Sequence, residues 1–163
     1  MTAAPLHVVL DELVHPQNVS AILRTCETAG VTGVHVAGAD PFVGSPLRIS
    51  RGAERWLSIH HHDNVAACIA LLQQQGIRIL CASNRPGAQD YRSVDLTGPI
   101  ALVLGNESHG VSSSAAVLAD AVIYIPMLGR TLSLNVSVAA GVLLFEALRQ
   151  RGVYTPPGEP PAR

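Results

Sequence analysis

Short apolar runs alternate with helix-like segments along most of this 163-residue chain, and this alternation is what most limits its fold. The runs are nearly continuous in their apolar character, which is typical of strands buried on both faces. We therefore predict an α/β fold, with a mostly parallel sheet and helices on both of its faces. The predicted strands are residues 6–10, 33–38, 56–61, 77–82, 100–104 and 121–125.

Four segments have the pattern of helices that would cover such a sheet. Gly30 and Gly76 follow the first two segments, as glycines often do at helix ends. Asp63 is the candidate N-cap of the second helix, in which Val65 and Ile69 share one face. The predicted helices are residues 18–29, 63–75 including the cap, 111–119 and 135–151.

The composition indicates one folded unit with a large core. Hydrophobic residues make up 48% of the chain and charged residues 14%, which is typical of a globular protein. We predict a single domain over residues 1–153 and a disordered, proline-rich tail over residues 154–163. No apolar run reaches the length of a bilayer span and no secretory leader pattern opens the sequence, so we expect a cytoplasmic protein without a membrane partner.

The cysteines and histidines give only weak evidence for a metal. Cys26, Cys68 and Cys81 are isolated in apolar contexts, which favours reduced core thiols over a disulfide framework or a metal cluster. The three histidines at residues 60–62 resemble a metal-binding tract, but neighbours on a strand point to opposite faces. No cysteine or carboxylate pair completes a coordination set in the sequence, so we predict no metal.

The basic residues allow an RNA-binding surface only where they cluster. All 11 are arginines, and the net charge of the chain is −1. Arginine suits bidentate contacts with phosphate. Arg48, Arg51 and Arg55 are spaced three and four residues apart, so on a helix they would form one basic stripe for an RNA backbone. An ordinary solvated surface is the alternative interpretation.

Three polar clusters follow predicted strands, where open α/β sheets bind their ligands. The first cluster, residues 15–25, has Asn18 at the position of a helix N-cap and Arg24 six residues later. Apolar neighbours of Arg24 predict a mostly buried helix, in which an arginine needs an anionic partner. A capping asparagine and a surface arginine are the simpler alternative.

The second and third clusters combine strand ends with polar side chains. In residues 102–111, a buried strand runs into Gly105 and Glu107; glycine permits close approach to a ligand, and a buried glutamate needs a partner. A tight turn with a solvated glutamate is the alternative there. The third cluster holds Ser133 and Asn135 at a predicted helix start, which offers free N–H groups. Its alternative is a polar loop in which Asn135 only caps the helix.

Two common site types do not fit these clusters. The glycine-containing second cluster lacks the Gly-Lys-Ser/Thr ending of a phosphate-binding Walker loop. No Gly-x-Ser-x-Gly elbow occurs in the sequence, which argues against a serine hydrolase of that kind. The three clusters are therefore typical of neither a Walker loop nor a serine hydrolase of this kind.

In this order, the clusters resemble the three motifs of the SpoU (TrmH-like) family of SPOUT RNA 2′-O-ribose methyltransferases. Residues 18–24 are similar to the first motif, residues 105–110 to the second and residues 125–137 to the third. The amino-acid sequences of residues 15–24 and 133–139 are most similar to those of the tRNA branch of the family. The resemblance covers residues 6–151.

The resemblance implies a cofactor and an assembly. The C-terminal part of the sheet would form a deep trefoil knot that binds S-adenosyl-L-methionine, largely through backbone groups. The protein would be a homodimer with its active site near the subunit interface, to which the first and last helices contribute. The positions that the resemblance assigns to the cofactor are Ala82, Leu104, Gly105, Ile125, Met127 and Leu134.

The resemblance also implies catalytic roles in moving a methyl group from a sulfonium to a ribose 2′-oxygen. Arg24 would stabilise the developing alkoxide or clamp the adjacent phosphate, with a general-base role as the other option. Asn18 would orient Arg24 or the ribose, and Glu107 would pair with Arg24 or with polar groups of the partner subunit. Ser133 and Asn135 would hydrogen-bond the ribose, the phosphate or the cofactor.

The expected substrate is tRNA, although the sequence lacks the extra terminal helices of many tRNA enzymes in this family. Three alternatives stay open. They are methylation of ribosomal RNA, methylation of a tRNA anticodon loop by a compact member, and a non-catalytic RNA- or nucleotide-binding module of the same fold.

Overall fold

The computed structural model of the chain describes residues 4–41, 43 and 55–153. Within these residues, seven parallel strands form one sheet in the order β3-β2-β1-β6-β4-β7-β5. The strands are β1 (Leu6–Asp11), β2 (Gly33–Ala37), β3 (Ile59–His62), β4 (Arg78–Ala82), β5 (Gln89–Asp90), β6 (Ile100–Gly105) and β7 (Ala121–Tyr124). The helices are α1 (Pro16–Thr28), α2 (Val65–Gln74), α3 (Ser113–Leu118) and α4 (Val136–Arg151).

Helices cover both faces of the sheet, as the apolar pattern predicts. On one face, α1 and α4 pack over the central strands and bury Ile22, Leu102 and Leu144 completely. On the other face, α2 and α3 pack over the same strands and bury Ile69 and Val103. The predicted α/β class is therefore confirmed. The trefoil knot and the extent of the domain over residues 1–153 stay predictions.

Local chemistry explains where the helices begin. α1 starts at Pro16, whose fixed backbone angle and missing N–H suit the first helical position. The N-cap is therefore His15, and our prediction that Asn18 caps this helix was wrong. In α2 the cap is Asn64 instead of the predicted Asp63, because the Asn64 side chain accepts a backbone N–H three residues on at 2.9 Å.

Apart from shifts of one residue at strand ends, the strands differ from the prediction at two places. β3 occupies Ile59–His62 instead of residues 56–61. β5 was not predicted, because its two polar residues carry no apolar pattern. It pairs with the end of β7 through Gln89 and Asp90, so only the tertiary fold defines it.

Some sequence predictions fall beyond the described part of the chain, and others can be assessed. The tail at residues 154–163, Arg48 and Arg51 lie outside the described residues. No helix in the described ranges combines the length and apolar character that a bilayer crossing needs. The cysteines are buried and free, as predicted, at Cys26, Cys68 and Cys81.

Candidate active site

A cavity of about 610 Å³ opens where β4, β6 and β7 end and α4 begins. These are the carboxyl ends of parallel strands, where open α/β sheets bind ligands. Its volume falls in the range of small-molecule and cofactor sites. The residues that the resemblance assigned to the cofactor all line this cavity: Ala82, Leu104, Gly105, Ile125, Met127 and Leu134.

The wall of the cavity at the end of β6 depends on a tight loop after Gly105. A Cβ atom on Gly105 would overlap the backbone of Gly110 and Val111, so a larger residue would push this loop away. Asn106 is buried and donates from its side-chain amide to the Glu12 carbonyl at 2.7 Å. Asn106 lies within the second cluster, where no role was predicted for it; in the structure it holds the loop that carries Glu107.

Three predicted catalytic side chains form a hydrogen-bonded chain along the edge of the cavity. The Asn18 amide nitrogen donates to Glu107 Oε1 at 3.1 Å. The Asn135 amide nitrogen donates to Asn18 Oδ1, also at 3.1 Å. These residues come from α1, from the loop after β6 and from the start of α4, and all of them line the cavity. The structure thus brings together residues that are far apart in the sequence.

Glu107 is held as a carboxylate by several donors. Besides Asn18, the backbone N–H groups of Val14 and His15 donate to its two oxygens at 3.3 and 3.2 Å. Burial acts to raise the pKa of Glu107, but the hydrogen bonds outweigh it and hold this pKa below its usual value. The predicted pairing of Glu107 with Arg24 is not found within this chain, because the loop before α1 and Asn18 occupy the carboxylate instead.

The loop between β7 and α4 covers the cavity with polar groups. Asn135 caps α4 by accepting the Ser137 N–H at 2.9 Å, and Ser133 is exposed and faces the cavity. Asn84, which also lines the cavity, donates from its side chain to the Leu132 carbonyl and ties this loop to the end of β4. Asn84 was not among the predicted site residues, although its place just after a buried strand was an available signal.

Arg24 is placed differently from the sequence prediction. Its side chain is exposed, and it does not line the cavity. Six residues along a helix rotate the side chain to a face about 120° away from that of Asn18, which explains the separation. The expected buried arginine with an anionic partner is therefore wrong for a single chain. Asn18 contacts Glu107 and Asn135 instead of Arg24.

The proposed basic stripe stays a prediction. Arg55 is exposed and does not contribute to the cavity lining. Arg48 and Arg51 fall outside the described residues, so the geometry of the three arginines is not defined.

We argued from the sequence that no cysteine completes a metal site with the histidines, and the structure corrects this step. Strand alternation does place His61 on the face opposite to His60 and His62, as expected. However, one ligand atom each from His35, His62 and Cys68 lie within 4.8 Å of one another. Sequence spacing missed this group, because parallel pairing of β2 with β3 and the packing of α2 bring the three residues together.

Comparison with known proteins agrees with this geometry. Residues 5–145 match the model of the SpoU rRNA Methylase family. A tRNA (guanosine(18)-2′-O)-methyltransferase of Thermus thermophilus is 42% identical over 155 residues, which are 93% of this chain and 80% of that protein.

Solved structures show the same fold. The SpoU methyltransferase AviRb from Streptomyces viridochromogenes, in complex with the cofactor AdoMet, superimposes with a TM-score of 0.83 at 30% identity, covering 93% of this chain and 59% of that one. A structure described as giving insights into the 2-OH methylation of C/U34 on tRNA superimposes with a TM-score of 0.79 at 28% identity and covers 94% of both chains. The family match spans most of the chain and includes the strand ends that build the cavity. The chain therefore belongs to the SpoU rRNA Methylase family.

Proposed function

We propose that this protein is an S-adenosyl-L-methionine-dependent RNA 2′-O-ribose methyltransferase that acts on tRNA. The observation that carries the proposal is the strand-end cavity, which combines the assigned cofactor positions with the chain of Asn18, Glu107 and Asn135 at its edge. The similarity to the Thermus thermophilus tRNA enzyme over most of both chains supports the reaction and the substrate class.

The cavity fits the methyl donor in size and in chemistry. Apolar side chains such as Leu104 and Ile125 can cover the adenine ring, and strand-end backbone groups can hydrogen-bond the polar parts. Glu107 contributes a negative charge at the edge, which suits a cationic ligand. When bound there, S-adenosyl-L-methionine supplies a methyl group activated by its positive sulfur.

The residues at the edge would position the acceptor. A ribose hydroxyl is a weak nucleophile, so the site must align it and stabilise negative charge as its proton leaves. Asn18 and Asn135 present amide groups at this edge, and Ser133 adds a hydroxyl. Glu107 fixes Asn18 and the start of α1 in place, which makes it a positioning residue rather than a base.

Arg24 would act in a homodimer. Within one chain it lies outside the cavity, yet its exposed guanidinium is free to meet a phosphate or an alkoxide across an interface. Large apolar side chains on α4 and beside α1 are about half exposed: Val14 at 54%, Val138 at 51% and Phe145 at 52%. Exposed apolar groups of this kind mark contact surfaces, and here they flank the helices predicted for the interface.

Two positions in tRNA are candidates for the modification. Guanosine 18 is suggested by the Thermus thermophilus relative, which is 42% identical to this chain. The anticodon loop is suggested by the structure concerned with C/U34 of tRNA, which superimposes over 94% of both chains. Ribosomal RNA is the remaining target class, since the family as a whole carries that name.

The proposal is tested by incubating the purified protein with tritiated S-adenosyl-L-methionine and either bulk tRNA or ribosomal RNA from a strain that lacks the gene. We expect label in tRNA and a new 2′-O-methyl site on mapping. Label in ribosomal RNA alone would show that the substrate is ribosomal RNA and not tRNA. Cofactor binding by calorimetry without transfer to either RNA would favour the non-catalytic alternative.

A further inference from the structure

A second cluster of chemically reactive side chains lies on the other side of the sheet from α1 and α4, away from the cavity. His7, His35 and His62 stand on the adjacent strands β1, β2 and β3, and point to the face that α2 covers. His7 Nδ1 lies 3.1 Å from His35 Nε2, and His35 Nδ1 lies 2.9 Å from His62 Nε2. The three imidazoles therefore form a continuous row under α2.

Cys68 on α2 completes this group. It is fully buried, and its sulfur and one ring nitrogen each of His35 and His62 lie within 4.8 Å of one another. His35 is 4% exposed, and His62 is half-buried at the sheet edge. None of these side chains lines the strand-end cavity, so the methyl-transfer chemistry gives them no role.

We propose that His35, His62 and Cys68 bind a zinc ion or another divalent ion of similar ligand preference. Two imidazoles and a thiolate are ligands that zinc prefers. Zinc–nitrogen bonds of about 2.1 Å in a tetrahedral site place two nitrogens about 3.4 Å apart, so the facing nitrogens of His35 and His62 need to separate by only about 0.5 Å from their 2.9 Å distance.

The surroundings of the three ligands support a cation. Metal-bound histidines typically donate their other ring N–H to an acceptor, and with His35 bound through Nδ1 its Nε2–H can donate to His7 Nδ1. Asp11 is buried close to Cys68. One oxygen of Asp11 has no hydrogen-bond partner among the described residues. A buried, unpaired carboxylate oxygen is costly unless positive charge is close to it.

Metal binding would tie the edge strand β3 to α2. β3 pairs only with β2 in the described part of the sheet, and α2 follows it directly in the chain. The ion would replace the thiol proton of Cys68, which would pass to solvent. The site would thus stabilise the fold at the sheet edge. Metal binding here would overturn our sequence-based prediction that the protein binds no metal.

The test is a titration of the full-length, tag-free, metal-free protein with Co²⁺, which reports its own coordination by absorption. We expect one ion per chain, a thiolate-to-cobalt charge-transfer band, the strong visible bands of four-coordinate cobalt, and loss of both bands when Zn²⁺ is added. Thermal unfolding should shift to higher temperature with Zn²⁺.

Variants distinguish metal binding at this site from non-specific binding to surface histidines. Cys68→Ser should abolish the charge-transfer band, and His62→Gln should weaken binding by more than the roughly 10- to 100-fold that loss of an outer contact costs. The matched controls are Cys26→Ser, in the opposite core layer, and His61→Gln, an exposed neighbour on the opposite face. Both controls should bind cobalt like the wild type.

The proposal is wrong if the wild type binds no cobalt, or if the charge-transfer band survives in Cys68→Ser. Binding that is lost in His61→Gln and kept in His62→Gln would also overturn it. If Cys68→Ser fails to fold, as judged by circular dichroism, His62→Gln still decides the question, because His62 lies at the partly exposed sheet edge.

Discussion

At the scale of single residues, Arg24 is the side chain whose chemistry the proposed reaction needs most. It is exposed, and within the described residues no hydrogen bond or ion pair ties down its guanidinium. Replacing it should therefore leave the fold intact. We expect Arg24→Ala to lower kcat by at least about 100-fold, since removal of a charge-stabilising donor costs that much in other enzymes. Calorimetry should show unchanged affinity for S-adenosyl-L-methionine.

Glu27→Ala is the matched control for Arg24→Ala, because Glu27 is another exposed charged residue on α1. It should keep wild-type kcat. Near-normal turnover in Arg24→Ala would remove this arginine from the mechanism.

Glu107 makes the stability of the folded chain depend on pH, because its carboxylate holds part of the site together. Because the pKa of Glu107 is lowered in the folded chain, its contacts stabilise the protein above the usual glutamate range, and this contribution is lost as the pH falls below that range. Glu107→Gln should therefore unfold more easily at neutral pH and lose less stability than the wild type on acidification. Urea unfolding at a series of pH values measures both effects. Parallel pH curves for the two proteins would mean that the carboxylate is not stabilised in the fold.

At the scale of secondary structure, the side chain of Arg151 helps to anchor the end of α4. Arg151 donates to the carbonyl oxygens of Ala4, Leu96 and Gly98 at 2.6, 2.9 and 2.7 Å. It thereby joins the chain before β1 and the loop before β6 to the last helix. Arg151→Met should lower the free energy of unfolding by about 2 kcal/mol or more, since several charge-assisted hydrogen bonds are lost.

The control for Arg151→Met is Arg149→Met on the same helix turn. Arg149 forms an exposed ion pair with Glu146 at 2.8 Å, so its loss should destabilise the protein clearly less than the loss of Arg151. Equal losses in the two variants, measured by urea unfolding, would contradict the anchoring role of Arg151.

The elements show what sequence patterns can and cannot predict. The buried strands and the covering helices follow from apolar runs, and the cap of α4 at Asn135 was correctly predicted because capping is local chemistry. The start of α1 was predicted two residues too late. Proline is favoured at the first helical position, and in this chain the helix starts at Pro16 and not after Asn18. β5 and the tie from Asn84 to the loop before α4 depend on distant pairing, which no local pattern records.

The same distinction applies to the site. The motifs predicted that Asn18, Glu107 and Asn135 belong together, and the structure joins them by hydrogen bonds. Their partners were not predictable from spacing: Glu107 binds backbone N–H groups of the loop before α1 instead of Arg24. The group of His35, His62 and Cys68 was missed for a related reason, since it arises from strand register and helix packing.

At the scale of the whole molecule, the exposed apolar side chains on α4 favour a dimer that is needed for catalysis. Phe145 is 52% exposed, so Phe145→Glu should fold as a chain but place a charge in the contact surface. We expect a monomer by light scattering and a loss of methyl transfer. Val117→Glu is the control, because Val117 is 82% exposed on α3, on the opposite face of the sheet.

Val117→Glu should keep the oligomeric state and the activity of the wild type. An active monomer of Phe145→Glu would mean that one chain holds the complete active site. If Phe145→Glu still forms a dimer, the interface lies on another surface of the protein.

The account depends most on the strand-end cavity as the place where the methyl donor meets the ribose. A crystal structure of the protein with S-adenosylhomocysteine and an RNA substrate tests this directly. We predict that the sulfur lies in the cavity between Gly105 and Leu134, with a ribose 2′-oxygen beside Asn18 and Asn135. A cofactor product bound elsewhere, or a ribose held away from these two asparagines, would contradict the account.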